Sequence, residues 1–129
     1  MGEIVVGDDL DADPSWPSTR KGVVHSVKIT DVLGGSHHLY IITGTYPDGR
    51  LGEIFIRLGK EGSTLRGLMN IMGILVTTLL RNGVTVSQVC DLLREGGDYP
   101  PNGKTDNEEI PDTKSLTGYI AEWLEERFD

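Results

Sequence analysis

The chain has 129 residues, which is the size of one domain, and a formal net charge of −8. A negative field of this size repels phosphate backbones, so general nucleic-acid binding is not expected. Cys90 is the only cysteine, which excludes an intrachain disulfide framework and a cysteine-rich metal site.

The N-terminal segment differs in composition from the rest. Residues 1–13 carry five acids and no base, and residues 14–21, PSWPSTRK, contain two prolines. We expect residues 1–21 to form a flexible acidic and proline-containing arm, which Trp16 anchors to the body or to a partner, and residues 22–129 to form a single domain. No basic leader is present, and the apolar run at 71–80 is too short to span a bilayer. These features predict a cytoplasmic protein that does not contact a membrane.

Three strands are predicted next. From Val23 the apolar residues alternate with period two, and Gly34-Gly35 marks a turn after the first strand. A second strand covers roughly 37–46, Pro47 to Arg50 form a turn, and a third strand covers 51–58. The short connections predict an antiparallel meander.

Three helices are predicted after the strands. A nearly all-round apolar pattern over 64–82 predicts a central and mostly buried helix, with close backbone contact at Gly67 and Gly73. Thr85 to Gln88 fit a capping box that opens a short helix to about residue 94. A long loop, 96–111, leads to Asp112, which we expect to cap a last helix. Its apolar stripe contains Leu116, Tyr119, Ile120, Trp123, Leu124 and Phe128.

The predicted fold class is therefore α+β, with a three-stranded antiparallel meander followed by three helices packed on one sheet face. Small domains with two broad apolar helix faces often leave one for a partner. We expect a homo-oligomer that uses the 113–128 helix or the arm around Trp16.

The segment YPDGRLGEIFIRLGKEGSTLRGLMN (46–70) resembles the C-terminal, TSCPD-type domain of adenosylcobalamin-dependent class II ribonucleotide reductases. NGVTVSQVCDLL, GGDYPPNG and EIPDTKSLTGYIAEWLEERF resemble later parts of that domain in the same order, so the resemblance covers about 14–129. It implies a free-standing module from deoxynucleotide metabolism. In those enzymes the radical and redox cysteines and the cobalamin site lie in a separate barrel domain, which has no counterpart here. The resemblance thus implies a non-catalytic domain without a cofactor.

The best candidate site lies between the third strand and the long helix. Free N–H groups and the positive end of a helix favour an anion there, and the residues that we expect to bind it are Lys60, Gly62, Ser63, Thr64 and Arg66. Tyr40, Tyr46, Phe55 and Trp16 are candidates for an aromatic platform under a nucleotide base, and Tyr46 and Tyr99 are preferred for stacking because both lie beside loops. In the alternative interpretation these rings only pack the sheet. In the alternative interpretation, Ser63 or Thr64 is an ordinary N-cap and the glycines only make a tight turn.

Other chemistry is weakly supported by the sequence. His25, His37 and His38 lie on strands that pair, but adjacent His37 and His38 point to opposite faces, so no metal site is predicted. No GxSxG motif or acid–base pair supports catalysis, and Cys90 fits a small buried residue. Two hypotheses remain open: a protein that binds or sequesters a nucleotide or cyclic nucleotide, and an accessory subunit that docks on a separately encoded reductase large chain.

Overall fold

The computed structural model describes residues 15–128, so most of the predicted arm, residues 1–14, and Asp129 lie outside the described residues. The architecture is α+β with an antiparallel sheet, which confirms the predicted class. The elements are β1 (Gly22–Asp31), β2 (Ser36–Thr45), β3 (Leu51–Gly59), α1 (Ser63–Arg81), α2 (Val86–Leu93), β4 (Gly103–Thr105), β5 (Asp112–Thr113) and α3 (Leu116–Phe128).

The sheet has five strands in the order β3-β2-β1-β4-β5. The two short strands, β4 and β5, were not predicted, because strands of three and two residues carry no readable period. Pairing of Ile29 with Thr105 recruits β4, and this partner is distant in the chain. The prediction of a loop over 96–111 was therefore wrong at β4. The prediction that Asp112 caps α3 was also wrong, since Asp112 is in β5 and the Ser115 hydroxyl accepts the Gly118 N–H instead.

One face of the sheet carries the hydrophobic core. Val27, Leu39 and Leu58 lie side by side across β1, β2 and β3, and all three are buried. The core also takes in α2 and α3 through Val89 and Ile120. The predicted apolar stripe of α3 is thus inside the chain. The capping box of α2 is confirmed, with Thr85 and Gln88 bonded reciprocally.

Helix α1 lies along the edge of β3 that faces away from β2. The Thr77 hydroxyl accepts the Ile54 N–H at 3.0 Å and donates to the Ile54 carbonyl at 3.2 Å. Gly73 allows the approach, since a β-carbon there would lie 3.0 Å from the Ile54 carbonyl oxygen. Close backbone contact is therefore confirmed at Gly73. It is wrong at Gly67, which faces open space.

The prediction that α1 is central and mostly buried was wrong. Its buried residues are Met69, Gly73 and Val76, because a helix at a sheet edge meets protein on one side only. By length and composition alone α1 could cross a membrane, with a mean hydropathy of 1.4. In the structure it instead leaves four apolar side chains 49–59 % exposed. We call these the outer face of α1: Leu68, Ile71, Ile74 and Leu75.

The described part of the arm packs on the body through Trp16. The Arg20 and Arg81 guanidinium groups lie 4.5 and 4.6 Å from the Trp16 ring centroid. Both arginines also pair with Glu53, at 3.0 Å and 3.6 Å. Trp16 covers Gly52 so closely that a β-carbon there would collide with the indole ring. The end of α1, the start of β3 and the arm are thereby joined.

Candidate functional site

The N-terminus of α1 has no side-chain cap. Gly62 is the N-cap residue, and no acid occurs in the first turn. The alternative interpretation, in which Ser63 or Thr64 caps the helix, is therefore wrong. The first intrahelical bond of this end is from the Arg66 N–H to the Gly62 carbonyl, at 3.1 Å. Helix geometry leaves the N–H groups before Arg66 directed outward, where they favour an anion.

A groove of about 370 Å³ opens beside this helix end. We call it the helix-start groove, and its lining residues are Arg57, Leu58, Ser63, Arg66, Gly67 and Asn70. The structure thus brings two of the predicted residues, Ser63 and Arg66, to one concave surface. It adds two that sequence reasoning missed, Arg57 and Asn70.

Arg57 is held in place from two sides. Its Nη1 donates to Asn70 Oδ1 at 3.1 Å, and its guanidinium lies 5.6 Å from the Phe55 ring centroid. A signal for both missed residues was present in the sequence. Arg57 alternates with apolar residues on β3, and Asn70 lies four residues after Arg66, on the same side of the helix.

Lys60, Gly62 and Thr64 remain beside the groove without lining it. Lys60 is exposed and has a φ of 58°, the left-handed region that L-residues rarely adopt. Gly62 and Thr64 are exposed as well. Backbone N–H groups here are consistent with the predicted anion contact, which stays a prediction.

The two predicted tyrosines are not at this site. Tyr46 is 7 % exposed and lies just before β3, whereas the helix-start groove lies at the other end of that strand. Its ring packs against Trp16 and under the Arg50 guanidinium. Tyr99 bonds to Thr117 and, through its N–H, to the Lys114 carbonyl, next to β5 at the opposite edge of the sheet.

His37 fixes the loop that leads into α1. Its Nε2 is 2.9 Å from Asp31 Oδ2, and its Nδ1 bonds to Glu61. Burial lowers the pKa of His37, but the bonds to Glu61 and Asp31 outweigh it, and the pKa stands above its usual value. When protonated, the ring is a positive charge between Asp31 and Glu61, the one acid between β3 and α1. His37 thus holds the loop and reduces negative charge beside the groove.

His25 is in a second, separate network. The Tyr119 hydroxyl accepts from Asn107 Nδ2 at 2.9 Å and is hydrogen-bonded to His25 Nε2 at 2.7 Å. Burial is the largest cause that lowers the pKa of His25, and it also raises the pKa of Tyr119 to about 12. Trp123 is stacked on His25 with the ring centroids 5.0 Å apart, so His25 is part of an aromatic cluster between β1 and α3.

The two networks keep His25 and His37 apart, each with its own partners. Within residues 15–128, no group of three or more His, Cys, Asp or Glu side chains is arranged to hold a metal ion. Cys90 is buried and its thiol donates to the Ala121 carbonyl at 3.3 Å, which confirms the structural role expected for it.

Comparison with known proteins decides the family. Residues 14–128 match the model of the TSCPD domain. The chain belongs to the TSCPD domain family. This confirms the resemblance to the ribonucleotide reductase C-terminal domain on which the sequence interpretation rested.

Curated relatives of this TSCPD domain are vitamin B12-dependent ribonucleotide reductases. The chain is 36 % identical over 108 residues to the protein of Rhodopirellula baltica, with 84 % of this chain and 10 % of the relative covered. It is 36 % identical over 104 residues to the protein of Bradyrhizobium diazoefficiens, with 81 % and 8 % covered. The protein of Streptantibioticus cattleyicolor is 32 % identical, with 81 % and 16 % covered. The chain thus spans about a tenth of the length of the first two relatives. No solved structure matches it.

Proposed function

We propose that this TSCPD domain is a non-catalytic binding module that holds the phosphate of a nucleotide or cyclic nucleotide in the helix-start groove. One observation carries the proposal: an uncapped helix N-terminus and two arginines face one groove on an acidic protein. Helix ends and guanidinium groups are both suited to phosphate oxygens.

Arg57 is the better prepared of the two arginines. Asn70 and the Phe55 ring already orient its guanidinium, so less conformational freedom is lost when an anion binds. Arg66 lies four residues before Asn70 on the same helix and supplies the second charge. The relatives are ribonucleotide reductases, so nucleotides are the first ligands to test.

Calorimetric titration with ADP, dATP and cyclic AMP tests this proposal. Arg57→Ala and Arg66→Ala should each weaken binding about 10- to 100-fold, since charge-assisted hydrogen bonds contribute roughly 1.5–3 kcal/mol and about 1.4 kcal/mol is a factor of ten. Lys114→Ala is the matched control, because it removes an exposed positive charge at the opposite sheet edge. Equal affinity in all three variants contradicts the proposal.

Docking on a reductase catalytic chain is the second candidate function. The outer face of α1 presents four apolar side chains that are about half exposed, and such patches are typical of interfaces. In the relatives, the matching segment is about a tenth of a long reductase chain, so it has neighbours in the same polypeptide. The proposed partner is the catalytic part of such an enzyme.

A double variant, Leu68→Glu with Leu75→Glu, tests docking. It should abolish binding to a vitamin B12-dependent reductase chain from which the matching segment has been removed, as measured by biolayer interferometry. Leu92→Glu is the control, since Leu92 is 57 % exposed but lies on α2. Binding that survives the double variant removes the outer face of α1 as the docking surface.

A further inference from the structure

The side of the sheet that faces away from the core is open. No described helix covers its centre, because α2 and α3 pack on the core face and α1 lies along the β3 edge. The strand register places three cross-strand rows at the centre of this side, and we call their eight side chains the open sheet face: Val24, Ser26, Lys28, His38, Tyr40, Ile42, Phe55 and Arg57. The same side of the sheet continues outward to Thr30, Ser36, Glu53, Lys104 and Asp112.

The charge of the open sheet face is opposite to that of the whole chain. Its eight positions include the cations Lys28 and Arg57 and contain no acid, although the chain carries a net charge of −8 and Asp112 lies further out on the same side of the sheet. The nearest acid along β3, Glu53, lies beyond Phe55 and is already paired with Arg20 and Arg81. This surface is therefore suited to an anionic ligand.

An aromatic ring lies at the centre of these charges. Tyr40 is 37 % exposed, and it is the direct cross-strand partner of Arg57. Its ring extends toward Gly59, where a β-carbon would lie 3.7 Å from Tyr40 Cε2. Gly59 ends β3 and precedes the loop into α1. The Tyr40 ring thus lies near the end of β3 without lining the helix-start groove, and Arg57 belongs to both surfaces.

We propose that the open sheet face binds the base of a nucleotide by stacking on Tyr40, while its phosphates contact Arg57 and Arg66. The inference rests on the proposed phosphate site. It assigns to Tyr40 the stacking role that had been predicted for Tyr46 and Tyr99, since these two rings lie elsewhere. An aromatic ring flanked by cations complements a ligand with a flat base and a negative phosphate.

Phe55 has a different role from Tyr40, although both rings are similarly exposed. The Arg57 guanidinium already lies over the Phe55 ring, at 5.6 Å from its centroid. Phe55 is therefore a positioning residue for Arg57. Its removal should weaken every phosphate ligand alike, whereas removal of the Tyr40 ring should affect only ligands that contain a base.

Calorimetric titration of the full chain with ADP and with pyrophosphate separates these roles. Tyr40→Leu should weaken ADP binding about 5- to 100-fold and leave pyrophosphate affinity unchanged, in the range measured for base–aromatic stacking. Tyr40→Phe, the control, should retain ADP affinity. Phe55→Leu should weaken ADP and pyrophosphate by the same factor.

Three outcomes overturn the inference or the function beneath it. If the wild type binds pyrophosphate and Tyr40→Leu leaves the ADP affinity unchanged, the stacking site alone is overturned. Failure of wild type to bind either ligand overturns the proposed function as well. A short oligothymidine that binds more tightly than ADP, and that requires both Tyr40 and Phe55, overturns the nucleotide in favour of a single strand.

Discussion

At the scale of single residues, two histidines respond to pH in opposite directions. His37 lies between Asp31 and Glu61, and these bonds raise its pKa despite the opposing effect of burial. His25 is enclosed by Tyr119 and Trp123, and its burial lowers its pKa. The same residue type therefore stabilises the folded chain when protonated at one site and when neutral at the other.

The first prediction follows from linkage. A raised pKa in the folded state stabilises it fully below the unfolded value, near 6.5, and this stability is lost as pH rises through the folded pKa. Urea unfolding of wild type and His37→Gln should differ most below pH 6.5 and converge as pH rises through the raised pKa of His37. His25→Gln is the comparison: its lowered pKa penalises the wild type as pH falls below 6.5, so this variant should lose less stability in acid. A constant difference between wild type and His37→Gln contradicts the assignment.

Lys60 is the second residue that departs from ordinary behaviour. At a φ of 58°, an L-residue carries roughly 1–2 kcal/mol of backbone strain, which glycine avoids. Glycine gains only part of this amount, because it loses more conformational entropy on folding. We predict that Lys60→Gly raises the free energy of unfolding by up to about 1 kcal/mol, and that β-branched Lys60→Val lowers it. Chemical denaturation measures both.

Because Lys60 does not line the helix-start groove, Lys60→Ala should weaken nucleotide binding less than Arg66→Ala does.

At the scale of elements, α1 protects the edge of β3. An open edge strand offers unpaired N–H and C=O groups to other chains. The Thr77 hydroxyl bonds both backbone groups of Ile54, and Arg81 Nε donates to the Gly52 carbonyl at 3.1 Å. Side chains of α1 thus form hydrogen bonds with backbone groups at this edge, which the backbone of a further strand would otherwise do. This arrangement leaves the opposite side of α1 exposed.

The two glycines of α1 provide a matched test of that arrangement. Gly73→Ala would place a methyl group 3.0 Å from the Ile54 carbonyl oxygen and should destabilise the fold by about 1–3 kcal/mol. Gly67→Ala enters open space in the same helix and should stabilise by up to about 1 kcal/mol through helix propensity. Equal effects of the two changes in urea unfolding would show that α1 does not press against β3.

At the scale of the whole molecule, the chain uses most of its apolar surfaces internally. The predicted interface on α3 is not available, since Leu116, Ile120 and Leu124 are buried within the chain. Trp16, the other predicted interface residue, packs between Arg20 and Arg81. The largest apolar surface left on one described element is the outer face of α1.

We therefore expect the chain to self-associate through the outer face of α1. Sedimentation equilibrium at high micromolar concentration should give a mass above the 14.1 kDa of one chain for wild type and for Leu92→Glu. Leu68→Glu with Leu75→Glu should return the mass to that of one chain, because two carboxylates would be buried in the interface. A wild-type chain that sediments at 14.1 kDa removes the homo-oligomer prediction.

The sequence by itself determined the features that depend on neighbouring residues. Period-two alternation located β1, β2 and β3, and the capping box marked where α2 begins. Local sequence patterns also located the loop into α1. The order of the motifs along the chain identified the family. Each of these signals is contained in a short stretch, because turns, caps and strand periods are local properties of the backbone.

Only the tertiary structure decided what depends on distant residues. β4 forms because β1 offers it a partner, and α1 lies at a sheet edge although its composition is typical of a buried helix. Tyr46 is separated from the start of α1 by the length of β3, and Tyr99 is separated from it by the width of the sheet. Arg57 and Tyr40 became neighbours of that site through strand register. Register and packing join residues that are far apart in the chain, so no local pattern contains them.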